Sequence, residues 1–120
     1  MKSFWVSLVL FLLVIAGIAG NIVYIRHCAD YMKNAAERVL LDEESGDTLT
    51  ELENFWEKNR KYIGLSVSYR EVDHLCEMLI SLRWAYDIKD EEELIKYRLL
   101  VQDAVKEIER LEQFSVENLF

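Results

Sequence analysis

Residues 4–25 read FWVSLVLFLLVIAGIAGNIVYI, twenty-two positions without a charge, and Arg26 follows. A helix of that length rises roughly 33 Å, enough to cross a hydrocarbon layer of about 30 Å. Trp5 near one end and Tyr24 near the other suit the two interfaces, where a ring keeps its apolar body in lipid and its polar edge in water. Secretory signal cores are shorter, about 7 to 15 apolar residues. A small-residue cleavage site does occur at Gly17-Ile18-Ala19, but a cut there would leave apolar Ile22-Val23-Tyr24-Ile25 at the new N-terminus. The expectation is an uncleaved anchor over 1–25 and one further unit over 26–120. Cys28 follows Ile25-Arg26-His27 and not the small residues that precede a lipid-modified cysteine.

Beyond the anchor, about 95 residues suffice for a single modest core. The whole chain carries 14 Lys and Arg against 22 Asp and Glu. Setting Lys2 aside leaves 13 against 22, a net of −9 for the second unit, which makes nucleic acid an unsuitable partner. Proline is absent and glycine occurs four times, so little interrupts a helix and strand punctuation is missing. The fold class expected is all-α: a transmembrane helix running on into a small antiparallel bundle of about four helices.

Apolar spacing sketches those helices. Cys28, Tyr31, Met32, Ala35 and Val39 recur at three- and four-residue steps, so the membrane helix is expected to continue to Ser45-Gly46. Thr48 with Glu51 matches a capping box for a second helix over 49–63, striped by Leu49, Leu52, Trp56 and Ile63 and widened by Phe55 and Tyr62. Gly64 reads as a turn, and a third helix over 66–87 carries Leu65, Val72, Leu75, Leu79, Leu82 and Tyr86. Asp90 with Glu93 resembles another cap, ahead of a fourth helix striped by Leu94, Tyr97, Val101, Ala104, Ile108 and Leu111. That helix is expected to end near Gln113, leaving a short apolar-rich tail.

One apolar segment followed by LTELENFWEKNRKYIGL, SVSYREVDHL and a terminal FSVENLF resembles domain-of-unknown-function family 4363, short membrane-anchored helical proteins of Gram-positive, often spore-forming bacteria. The resemblance covers nearly the whole chain and rests on Trp56-Glu57-Lys58, Glu71-Val72-Asp73 and Glu117-Asn118-Leu119-Phe120. A His is frequent in the family where this chain has Tyr69, a departure that weakens any catalytic or metal role there. The resemblance implies an envelope protein with its domain outside the cytoplasm, and it implies no activity. Residues alone leave orientation open. Arg26, Lys33 and Arg38 against Lys2 favour a cytoplasmic domain, whereas a very short leading tail favours export.

Chemical constellations are sparse. Asp73, His74 and Cys76 are of the types that build a nucleophilic site, but neighbours this close on one helix do not converge. Zinc would need His27, Cys28, His74 and Cys76 together. An up-down bundle that begins at residue 26 sets Cys76 roughly 15 Å further from the membrane than Cys28, too far for shared ligation or a disulfide. Neither catalytic residues nor a cofactor is expected.

Charge is distributed more tellingly. Asp42, Glu43, Glu44 and Asp47 fall in the first turn, and Asp87, Asp90, Glu91, Glu92 and Glu93 in the third; both turns are expected at the tip far from the membrane. Bases gather toward the membrane end, where anionic headgroups attract them. Such a pattern follows from helix dipoles and solubility alone. Its functional alternative is an acidic tip that docks a basic partner or loosely gathers divalent cations. Ala16, Gly17 and Gly20, with Ala19 between and Asn21 after, form a candidate surface for pairing with another membrane helix, from a second copy or a protein partner. The expected role is a single-pass, non-enzymatic interaction or accessory module of the cell envelope, anchored in the cell membrane. The alternative is a ligand or signal sensor with a cavity among Tyr69, Trp84 and Tyr97.

Overall fold

The computed structural model describes residues 2–65 and 67–119. Four helices follow one another: α1 (Lys2–Glu37), α2 (Glu43–Ile63), α3 (Tyr69–Asp87) and α4 (Glu91–Leu119). The architecture is all-α, as the spacing predicts. The connections are short, so neighbours run antiparallel. The molecule is a rod of 67 × 23 × 18 Å. Much of that length is α1, whose N-terminal part projects beyond the other three helices: 36 residues rise about 54 Å.

α1 is a single helix whose two halves are differently covered. It is long and apolar enough to cross a membrane, and the hydrophobic window that qualifies it is not buried at all by the rest of the chain. From Asn21 onward the same helix enters the bundle. Ile25, Cys28, Ala29, Met32, Ala35 and Ala36 are all buried. Residues 21–25, assigned to the anchor by composition, therefore belong to the packed unit as well. The alanines let the neighbouring helices approach closely along this face.

The α1–α2 boundary differs from expectation. Gly46 does not end α1; it lies inside α2, and the chain turns earlier, over residues 38–42. Asp42 is the N-cap, its carboxylate accepting from the Ser45 amide at 2.7 Å. Ser45 completes the turn: its hydroxyl accepts from the Leu40 amide at 2.9 Å and donates to the Arg38 carbonyl at 3.3 Å. Asp42 starts the helix before the Thr48-Glu51 pair is reached, so the expected capping box falls within α2. Gly46 has a packing role instead, because a Cβ there would lie 2.8 Å from the Tyr86 hydroxyl.

Gly64 does close α2, its amide donating to the Arg60 carbonyl at 2.8 Å. α3 begins at Tyr69 behind the N-cap Ser68, later than position 66, and Ser66 itself lies outside the described residues. At the other end of α3, the Lys89 amide donates to the Tyr86 carbonyl and the Asp90 amide to the Ala85 carbonyl, the paired bonds of a Schellman turn. Lys89 sits at its left-handed position, φ 59°. Asp90 then caps α4 by accepting from the Glu93 amide at 3.2 Å, as its spacing predicts. α4 runs on past Gln113 to Leu119; no glycine or proline stops it. Phe120, the last residue of the expected tail, lies outside the described residues.

The expected stripes of α2 and α4 form the core with Val72, Leu75, Leu79 and Leu82 of α3. Two positions depart from expectation. Leu65 is 83% exposed and Tyr62 58% exposed, since both sit where α2 runs out and nothing packs over them.

Candidate functional site

Two ends of the rod carry features beyond packing. At the far end, the α1–α2 and α3–α4 turns meet: the Tyr86 hydroxyl donates to the Asp42 carbonyl at 2.7 Å. The acidic residues singled out by sequence are thereby brought to one tip. Asp42, Glu43, Glu44, Asp47, Glu91 and Glu92 are exposed there, and Asp90 and Glu93 are half-buried. Part of this charge has a local structural use, since Asp42 and Asp90 are N-caps and Glu43, Glu44 and Glu91–Glu93 oppose the positive ends of their helices. Lys96 lies 3.7 Å from Glu93. A shallow depression of about 340 Å³ opens between the turns, lined by Leu41, Asp42, Glu43, Tyr86, Asp87 and Lys89. Among the described residues no group of three or more His, Cys, Asp or Glu side chains could hold a metal ion.

At the opposite end, where α1 emerges, two polar contacts clamp the bundle onto it. The Asn21 amide donates to Glu112 Oε1 at 2.7 Å, and the Tyr24 hydroxyl donates to Asn59 Oδ1. Glu112 is buried, a carboxylate in the apolar register of α4 four residues after Ile108. That break in the stripe is the signal a reading of the sequence could have used. Asn21 is thus engaged within its own chain. Ala16, Gly17 and Gly20 remain exposed on the projecting half of α1, and a Cβ at either glycine would meet nothing within 4 Å. Higher on α1, Lys33 reaches Glu109 at 3.1 Å, while Gln102 and Arg98 donate to the Lys33 and Val39 carbonyls at 3.2 Å each. These bonds tie α4 to the last turns of α1 and to the start of the turn that follows it.

The cysteines are placed differently from expectation. Cys28 and Leu75, the neighbour of Cys76, line the same small space in the core, so the supposed 15 Å offset along the axis is absent. The expectation counted α1 from Arg26 and α3 from position 66, whereas α1 joins the bundle at Asn21 and α3 starts at Tyr69, which sets Cys28 and Cys76 each roughly 10 Å from the same end. Both thiols are free. Cys28 is buried, and burial pushes its thiol up from the ordinary value. Cys76 is half-buried and accepts the Trp56 indole N–H at 2.9 Å.

His74 lies in an open depression with Arg70, Glu71, Asp73 and Glu77, every one from α3 itself. The interior space among Cys28, Trp56 and Leu75 measures about 10 Å³, barely the room one water needs. No family model, curated protein or solved structure matches the chain.

Proposed function

We propose that this chain is a single-pass membrane protein of the cell envelope whose helical bundle, held outside the cytoplasm, is a non-enzymatic interaction or accessory module. One observation carries the reading: α1 is a continuous helix whose first half exposes only apolar and small side chains beyond Lys2 while its second half lies in the core of the bundle. Such an element needs lipid for one half and supplies a rigid mount with the other. The packed interior supports an interaction module over a sensor, and Tyr69 and Trp84, which would have lined a sensing cavity, lie on the outside. The envelope setting and the outward domain rest on the resemblance to family 4363. Partners suited to the surface are lipid around α1, a protein presenting basic groups to the acidic tip, and a second copy meeting Ala16, Gly17 and Gly20.

Asp47→Cys in a chain carrying Cys28→Ala and Cys76→Ala tests the orientation. A membrane-impermeant maleimide applied to intact cells labels an outward tip. Labelling only after lysis would place the domain in the cytoplasm, and recovery of the protein in the soluble fraction would remove the anchor. Crosslinking from position 47 in intact membranes should capture a discrete partner; capture of nothing discrete would count against the module.

A further inference from the structure

We infer that the α2–α3 turn is a second, shallow membrane contact, in which Tyr62 and Leu65 enter the headgroup layer beside α1 while Lys58, Lys61 and Arg70 hold anionic lipid phosphates. The inference rests on the anchored reading above and adds a lipid class and a binding surface to it.

Position comes first. The Tyr24–Asn59 bond sets the last turn of α2 against the last residues of the apolar stretch. One turn on, Tyr62 and Leu65 join Asn21, Tyr24 and Asn59 around an open groove of about 400 Å³. A leucine and a tyrosine are therefore presented level with the point where α1 leaves the bundle. α4 passes the same level, since Glu112 bonds Asn21 and Phe114, two residues on, is exposed. A lone exposed leucine on a soluble surface is ordinary. Exposed Tyr62 and Leu65 share one groove with Asn21 and Tyr24 of α1 and so extend the apolar side of that helix.

Charge points the same way. Residues 57–71 carry four bases, Lys58, Arg60, Lys61 and Arg70, against two acids, Glu57 and Glu71, in a chain whose net charge is −8. Arg60 is paired with Glu57 at 2.9 Å, and Lys58, Lys61 and Arg70 stand exposed. The turns at the other end are acidic, so a bilayer with anionic headgroups attracts the α2–α3 turn and repels those two. Aromatic and aliphatic side chains flanked by Lys and Arg are the composition of interfacial segments, which bury a shallow apolar edge and leave their charges among phosphates.

The test uses the full chain with Cys28→Ala and Cys76→Ala, reconstituted into phosphatidylcholine vesicles with or without phosphatidylglycerol. A nitroxide is attached through Leu12→Cys, Leu65→Cys or Asp47→Cys, and its collisions with oxygen and with a water-soluble nickel chelate report depth. The label at position 12 is expected deep in lipid, the label at 65 at headgroup depth, and the label at 47 in water. Omitting phosphatidylglycerol, or replacing Lys58, Lys61 and Arg70 by Gln, should shift the label at 65 toward water and leave that at 12 unmoved. A label at 65 as aqueous as that at 47, with 12 still in lipid, would overturn the contact and spare the anchor. A label at 12 in water would overturn the anchor itself. A depth at 65 indifferent to lipid charge would overturn the role of the bases, and lipid omission reads this on a chain that keeps all of them.

Discussion

Gly46→Ala should change sign with the residue at position 86. An alanine in place of a helical glycine ordinarily stabilises by about 0.5–1 kcal/mol. Here the added Cβ would lie 2.8 Å from the Tyr86 hydroxyl, closer than real Cβ atoms come to a neighbour, while the ring carbon behind it is 3.4 Å away. The hydroxyl must therefore move, and its bond to the Asp42 carbonyl is lost, at a cost of about 1 kcal/mol. Propensity gain and bond loss cancel or leave the variant slightly less stable. Tyr86→Phe removes the hydroxyl and costs about 1 kcal/mol alone, but in that background the alanine meets only an ordinary contact and keeps its gain. The cycle predicts a coupling of about 1 kcal/mol, worth about 4–8 °C in melting temperature for a domain of this size. Far-UV circular dichroism melts of the four full-length chains in one detergent would measure it. An equal rise in melting temperature on Gly46→Ala in both backgrounds would refute the view that this glycine makes room for Tyr86.

Lys89→Gly should stabilise the chain by about 0.5–1 kcal/mol, because it relieves a left-handed backbone at φ 59° while keeping both Schellman bonds; a melting temperature that falls would count against it. Trp56→Ala should cost about 3–5 kcal/mol in denaturant titration, since it empties the centre of the core and strips Cys76 of its indole donor. Cys28 fixes an alkaline limit. Its thiol is raised in the folded state by burial, so its contribution to stability is whole below the unfolded thiol value of about 8.5 and is lost as pH rises toward the folded value. Stability measured across that range should decline less steeply in Cys28→Ala, and in the native chain iodoacetamide should modify Cys28 far more slowly than after unfolding.

Helix number and the stripes of α2 and α4 were legible because side-chain periodicity reports burial directly: Leu49, Leu52 and Trp56, and Leu94, Val101 and Ile108, recur at the helical repeat. Boundaries were less legible where one residue type answers to two causes. Gly46 looks like a helix stop, and only the distant Tyr86 reveals it as a contact; Lys89 occupies the position glycine usually marks and so left no sign of a Schellman turn. Leu65 reads as core by its spacing, but its burial depends on what covers the turn, which spacing along one helix does not encode. The gathering of acids at one tip followed from short turns and antiparallel order alone. The clamp at the other end did not, since Asn21 and Glu112 are 91 positions apart and only the docking of α4 onto α1 brings them together.

That docking decides what α1 can transmit. Were the bundle joined to the projecting apolar part of α1 by a flexible connector, the two would rotate independently. Here no connector exists, because Ile25, Cys28, Ala29 and Met32 belong to the helix that begins at Lys2 and also to the core. Tilting the projecting half of α1 must then tilt the bundle or break helical hydrogen bonds between Gly20 and Ile25, and the Asn21–Glu112 and Tyr24–Asn59 bonds brace that segment from two sides. The orientation of the acidic tip is set by the axis of α1, because that helix is continuous from Lys2 to Glu37 and ends beside the tip.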